Sequence, residues 1–174
     1  LNAGDGSFAT PTIFSVPGNG VASVVIGDFN NDGDNDVAVG HNTGVAVRFG
    51  NGAGSFGAPA NITAGLGPTY LAADDLNSDG STDLIVAGYS ASSILLLLNN
   101  GAGAFNTAPR YPPGNGANSV LARDFNGDGK LDLAVANSNS NNISVILGDG
   151  TGGFGATTNF SVGAPPTTNI SNNP

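Results

Sequence analysis

The 174-residue chain has no cysteine and no glutamate, and only four basic side chains and one histidine. Without Cys, disulfides, thiolate metal sites and a Cys nucleophile are all excluded, while the redox compartment stays open. Without Glu, the paired-carboxylate chemistry of glycosidases would fall entirely to Asp. Thirteen Asp against four Lys and Arg give a net charge of −9, which argues against nucleic acid as a partner. There is no run of eighteen apolar residues and no charged-then-apolar leader, so neither a membrane span nor a signal peptide is expected in this segment.

What is present is concentrated. Ten of the thirteen Asp lie in three stretches, 28–36, 75–83 and 124–132, each obeying Asp-x-Asn-x-Asp-Gly-x-x-Asp. That spacing sets hard oxygen ligands at alternate positions of a tight loop, with Gly at the sixth position where the chain must turn sharply. The candidate ligands are the side chains of Asp28, Asn30, Asp32 and Asp36 with the carbonyl of Asp34; of Asp75, Asn77, Asp79 and Asp83 with the carbonyl of Ser81; and of Asp124, Asn126, Asp128 and Asp132 with the carbonyl of Lys130. Such a set favours Ca2+ over zinc or copper, about one ion per loop. Three divalent ions would bring the net charge from −9 to −3, so most of the acidity is assigned to metal sites. A helical EF-hand is excluded: its bidentate Glu at position twelve is replaced by Val39, Val86 and Val135, inside β-branched runs. The ions are expected to hold strands together rather than meet a substrate.

The loops sit in a longer period. Asp28, Asp75 and Asp124 are 47 and 49 residues apart. A Phe after a Gly-rich turn recurs at Phe8, Phe56, Phe105 and Phe154, and a Gly closing the next apolar stretch at Gly18, Gly65, Gly114 and Gly163. With 38 Gly and Pro, the composition favours short strands joined by turns. Four strands fit each period: 21–27, 37–39, 45–49 and 56–63; then 70–73, 84–87, 94–98 and 105–111; then 119–123, 133–136, 143–147 and 154–162. The expected fold is all-β: propeller blades of four antiparallel strands. Residues 18–65, 66–114 and 115–163 form three complete blades. Residues 1–17 match the end of a preceding blade and 164–174 the start of a next one, 168–171 aligning with 119–122. The chain is therefore expected to be part of a larger propeller, or to be completed by another chain.

Together with the Gly54-Ser55-Phe56-Gly57-Ala58-Pro59 element, the loops resemble FG-GAP/VCBS repeats, with weaker copies of that element at Phe105 and Phe154. The resemblance implies the calcium-binding propeller of integrin α-subunits, several lectins and many secreted bacterial proteins, with extracellular calcium and six or seven blades. It does not fix one activity.

Alternation places the acidic loops and the Gly-rich turns at one end of the blades. Recognition is expected at the other end, in 41–43, 88–92 and 137–142 together with 18–20, 65–69 and 112–118, which vary while the loop end repeats. His41 is expected to be a solvated loop residue, Tyr89 and Tyr111 to pack on edge strands, and Lys130 and Arg123 to offset the charge of the third loop. Sequons at Asn61, Asn142, Asn159 and Asn169 matter only in a glycosylating route. The functional expectation is a non-catalytic, calcium-stabilised scaffold of the extracellular space or cell surface, binding a protein or glycan. The alternatives are a filament or surface-layer subunit that pairs copies of itself through blade edges, and a non-catalytic part of a secreted carbohydrate-active enzyme.

Overall fold

A computed structural model describes residues 6–7, 10–65 and 67–163. Phe8, the 168–171 alignment and Asn169 lie outside the described residues. Twelve strands are present: β1 Ser23–Gly27, β2 Asp36–His41, β3 Gly44–Arg48, β4 Ala60–Thr63, β5 Pro68–Asp74, β6 Asp83–Gly88, β7 Ser93–Asn99, β8 Phe105–Thr107, β9 Ala117–Arg123, β10 Asp132–Asn137, β11 Asn142–Gly148 and β12 Phe154–Ser161. They form three four-stranded antiparallel sheets, each in sequence order, β1 to β4, β5 to β8 and β9 to β12. First strands of successive sheets lie together, β1 against β5 and β5 against β9, while β2 also meets β5 and β6 meets β9. The sheets thus stack as blades whose first strands are innermost. Among the described residues no helix is long and apolar enough to cross a membrane.

Residue choice follows this stacking. In the middle blade β6 (Asp-Leu-Ile-Val-Ala-Gly) is buried throughout and β7 nearly so, because another sheet covers each face. Leu84, Val86, Leu95 and Leu97 pack toward the first blade with Phe29, Val45 and Val47. The alternate positions Ile85, Ala87, Ile94 and Leu96 pack toward the third blade with Val120, Leu133, Val135 and Ile146. A strand covered on both faces needs apolar residues at every position, which is why these two read as unbroken runs. The third blade is covered on one side only, so β10 and β11 alternate buried and exposed.

Fourth strands are short or frayed. β8 ends at Thr107, before Pro109, and the chain returns only for an isolated bridge between Ile94 and Tyr111; Pro has no N–H to give a ladder. β4 begins at Ala60, and Phe56 pairs only with Gly50. Among the described residues no strand precedes Ser23, so the expected fourth strand within 1–17 is not seen there. Instead, Phe14 stands edge-on to Phe56 at 5.3 Å, and the Arg48 guanidinium donates to the carbonyls of Ser15 and Gly57.

Burial makes a clear prediction. Leu97→Ala, in the fully covered middle blade, should cost about 2–5 kcal/mol of unfolding free energy, whereas Ile13→Ala, at a position 91 % exposed, should change it by less than about 0.5. Urea midpoints of the two variants check this.

Candidate functional site

Each acidic loop joins the first two strands of its blade and is closed by its own side chains. The fourth and sixth residues take positive φ, as at Asn31 (58°) and Gly33 (88°), so the turn suits Asn and Gly there. The two oxygens of Asp28 then accept the N–H groups of Asp32 (3.2 Å) and Gly33 (2.8 Å). Asn30 accepts from the N–H of Asp32 and donates through Nδ2 to the Asp32 carboxylate, and Asp32 accepts the N–H of Asp34 at 2.8 Å. The second loop repeats this through Asp75, Asn77 and Asp79. The third keeps the Asn126–Asp128 bonds and the Gly129 N–H on Asp124, whose other oxygen accepts the N–H groups of Asn126 (3.2 Å) and Gly127 (2.7 Å). Hydrogen bonds from the loop hold two of these acids ionised. The N–H of Ser81 and then the Asn77 amide lower the Asp79 carboxyl below its ordinary value, and the N–H groups of Gly129 and Gly127 lower that of Asp124.

The ninth-position Asp behaves differently. Asp36, Asp83 and Asp132 are fully buried. One oxygen of each accepts the N–H of the second loop residue: Phe29 (2.8 Å), Leu76 (3.0 Å) and Phe125 (3.0 Å). The other accepts an N–H at the exit of the third strand: that of Gly50 (2.7 Å), just past β3, and those of Asn99 (2.7 Å) and Gly148 (2.9 Å), the last residues of β7 and β11. This residue ties the loop to the third strand of its own blade. Burial pushes the Asp83 carboxyl up, against the pull of the Asn99 and Leu76 N–H groups.

The loop thus brings together its first, third and fifth side chains on an exposed rim and sets the ninth apart beneath them. Of the seventh residues, Ser81 is buried, Lys130 is exposed, and Asp34 is half-buried with its carboxylate against Gly52. Among the described residues no three Asp or His side chains form a ready-made cage. The donor chemistry nonetheless fits a hard cation. Every candidate is oxygen, and a carboxylate that accepts one or two N–H bonds keeps further lone pairs. The first, third and fifth side chains with the seventh carbonyl could hold an ion, with the ninth carboxylate below them.

The strand 3–4 turns share this end of the molecule. A cavity of about 390 Å³ lies between Gly33-Asp34-Asn35 and the turn 50–56. The second and third such turns also meet the loop of the blade before them: a Cβ on Gly101 would lie 2.9 Å from Asn31 Nδ2, and one on Gly152 3.6 Å from Asn77 Cβ. Lys130 runs its stem along Gly150 and helps, after the N–H and hydroxyl of Thr151, to lower the Asp149 carboxyl.

At the opposite end the connections bond blade to blade. Tyr89 Oη donates to Asn139 Oδ1 at 2.9 Å, Ser92 Oγ donates to Asn115 Oδ1 at 3.2 Å, and the N–H of Gly116 donates to Ser92 Oγ at 3.3 Å. Apart from His41, these six connections contain no Asp, Lys or Arg. Tyr111 packs edge-on to Phe154 in the core, whereas Tyr89 bridges blades at the surface. His41 is not a solvated loop residue: it ends β2 and is 4 % exposed. The turn at Gly18 closes over the ring, Thr43 Oγ1 meets Nδ1 at 3.2 Å, and Nε2 is buried without a partner among the described residues. Sequence gave no signal for that closure, because the turn at Gly18 lies 23 residues before the ring that it covers.

A repeat profile described as FG-GAP-like repeat matches residues 1–39, 28–86, 75–135 and 124–172, the middle two matches each running from one acidic loop through the next. The chain belongs to the FG-GAP-like repeat family. The fold of this FG-GAP-like repeat protein is that of β-propeller blades. It is similar to an Agrocybe aegerita lectin solved for its specific recognition of non-reducing terminal N-acetylglucosamine, at 23% identity and a TM-score of 0.59, over 78% of this chain and 37% of that one. A chain of the Photorhabdus luminescens Tc holotoxin pore aligns at 18% identity and a TM-score of 0.48, over 83% of this chain and 7% of its own. The chain therefore spans little more than a third of the first and a small part of the second. No curated protein matches it in sequence.

The two kinds of loop acid are separable by mutation. Asp83→Ala strands the N–H groups of Leu76 and Asn99 in the core and should cost roughly 2–4 kcal/mol with or without metal. Asp79→Ala, on the rim, should cost clearly less in metal-free buffer. Chemical denaturation in chelator compares them.

Proposed function

We propose that this FG-GAP-like repeat protein is a non-catalytic recognition scaffold whose loop end binds calcium and whose opposite end binds a ligand, in an extracellular or cell-surface setting. The observation that carries the reading is the division of chemistry between the two ends. Ten Asp are gathered in the loops. The far end offers amides, hydroxyls and the exposed edge of Tyr89, joined across blades and almost without charge. Uncharged amides and hydroxyls beside an aromatic ring suit a neutral polyhydroxylated ligand, so a glycan is favoured over a charged protein surface. The fold likeness to a lectin supports the same choice.

Calcium would be held by Asp28, Asn30, Asp32 and the Asp34 carbonyl, and by their counterparts in the other two loops, with Asp36, Asp83 and Asp132 beneath. The ion would supply a cross-link within the loop and charge compensation, not reaction chemistry. By analogy with extracellular modules, affinity is set at a Kd of about 10⁻⁴ to 10⁻³ M.

Two measurements test the reading. Millimolar calcium should raise the melting temperature and EDTA should reverse the gain, Asp79→Ala losing part of it; identical melting curves with calcium and with EDTA would sink the calcium assignment. On a glycan array the chain should retain neutral glycans, and Tyr89→Ala should abolish the signal while leaving the melting temperature in place. Binding only to acidic or protein probes would overturn the ligand class.

A further inference from the structure

Five asparagines of this chain are followed by glycine: Asn19, Asn51, Asn100, Asn115 and Asn126. In such a pair no side chain on the glycine hinders its nitrogen from reaching the asparagine carboxamide. The carboxamide must be free to turn, and the glycine N–H must not be committed elsewhere. Hydrogen bonding separates the five. Asn51 Oδ1 accepts the N–H groups of Ala53 and Ser55, and Asn100 Oδ1 those of Ala102 and Ala104, which pins each carboxamide over its own turn. Asn115 Oδ1 accepts from Ser92 Oγ and Asn139 Nδ2, while the N–H of Gly116 donates to Ser92 Oγ at 3.3 Å. Both ends of the Asn126 carboxamide are held by Asp128, and the N–H of Gly127 donates to Asp124 Oδ1 at 2.7 Å. Asn19 differs. It and Gly20 are exposed, and neither its carboxamide nor the Gly20 N–H has a partner among the described residues.

What holds Asn19 is its main chain. Its N–H donates to Asn42 Oδ1 at 3.2 Å, and its carbonyl accepts the N–H of Asn42 at 3.0 Å. These two bonds latch the turn onto the end of β2. Beneath the latch lies His41, 4 % exposed, its Nδ1 only 2.7 Å from where a Cβ on Gly18 would stand. The latch works because the N–H and carbonyl of one residue are spaced to reach one asparagine.

We propose that Asn19 is a site of spontaneous deamidation, and that the isoaspartate formed there unlatches the Gly18 turn from His41. The Gly20 nitrogen, its proton taken by hydroxide, attacks Cγ of Asn19. The Cγ–Nδ2 bond breaks, and the amide nitrogen takes a proton from water and leaves as ammonia. Water then opens the cyclic imide at one of its two carbonyls. Opening at Cγ gives ordinary aspartate; opening at the main-chain carbonyl gives isoaspartate, in which the chain runs through Cβ and Cγ. Isoaspartate therefore inserts a methylene between the N–H and the carbonyl that Asn42 holds. The two bonds no longer fit together, the turn lifts, and water reaches the imidazole, whose Nε2 is buried without a partner among the described residues. Aspartate keeps the spacing and adds only charge. The reaction is independent of the calcium and glycan assignments.

Ageing the chain in mildly alkaline buffer tests both halves. Mass spectrometry of tryptic fragments, with electron-transfer fragmentation to tell isoaspartate from aspartate, should find conversion at residue 19 several-fold ahead of the other four sites. Diethyl pyrocarbonate, which labels accessible imidazole, should mark His41 in step with isoaspartate. Both residues lie on the fragment ending at Arg48, so label and product are read on the same molecule. Asn19→Gln should keep His41 unlabelled throughout. Freshly made Asn19→Asp should do the same, because charge without the added methylene leaves the latch closed. Since the Asn19 carboxamide is unpartnered, neither variant should shift the melting temperature, and the wild-type time course stands without them. The proposal fails if another Asn–Gly pair converts first, if isoaspartate at 19 leaves His41 as unreactive as in fresh protein, or if fresh Asn19→Asp labels at once.

Discussion

The blades depend on one buried carboxylate apiece. Asp36, Asp83 and Asp132 each accept two backbone N–H groups, one from the loop and one from the chain leaving the third strand, 14 or 16 residues away. Without that acceptor a tight turn rich in Asp, Asn and Gly would have no fixed position relative to its sheet, and two N–H groups would be left dry. A buried charge is costly by itself. Here two short bonds offset only part of the desolvation at Asp83, and in return the sheet is locked where its hairpins converge.

From this lock the rest of the stack follows. The loop is held against the third strand, so its second residue, Phe29 or Leu76, points into the seam with the next blade. In the first seam Asn99 adds a further link: its Nδ2 donates to the carbonyl of Phe29 at 2.8 Å and to that of Thr82 at 3.0 Å. The third blade has Gly148 at that position and the first has Gly50, so the bridge occurs once.

Much of this was legible in the residues. The three spaced loops and the Phe and Gly series set the period, and the aliphatic runs around 84–87 and 94–98 lie within β6 and β7. The far edges were harder, since Phe56 and Phe105 open similar segments that give four and three residues of strand. The separate part played by the ninth Asp was not legible. It is the same residue type as the first and fifth, and only burial beneath a hairpin formed later in the chain distinguishes it. His41 was misplaced for a related reason: its neighbours in sequence are polar, but its neighbours in space are the turn at Gly18 and the strand that it ends. The two Tyr differ in the same way, Tyr111 drawn into a seam by Phe154 and Tyr89 left at the surface by the turn that carries it.

The coverage of the middle sheet on both sides has a kinetic counterpart. In a stack where each unit touches only its neighbours, stability is the sum of unit and seam contributions, and β6 and β7 belong to the only sheet with two seams among the described residues. Their amides should exchange with solvent slowest, through opening of the whole stack. β1 and β12, each in a sheet with one seam, should exchange through local fraying that leaves the centre closed. The molecule therefore carries a protection gradient running outward from Leu84–Ala87 to β1 on one side and β12 on the other.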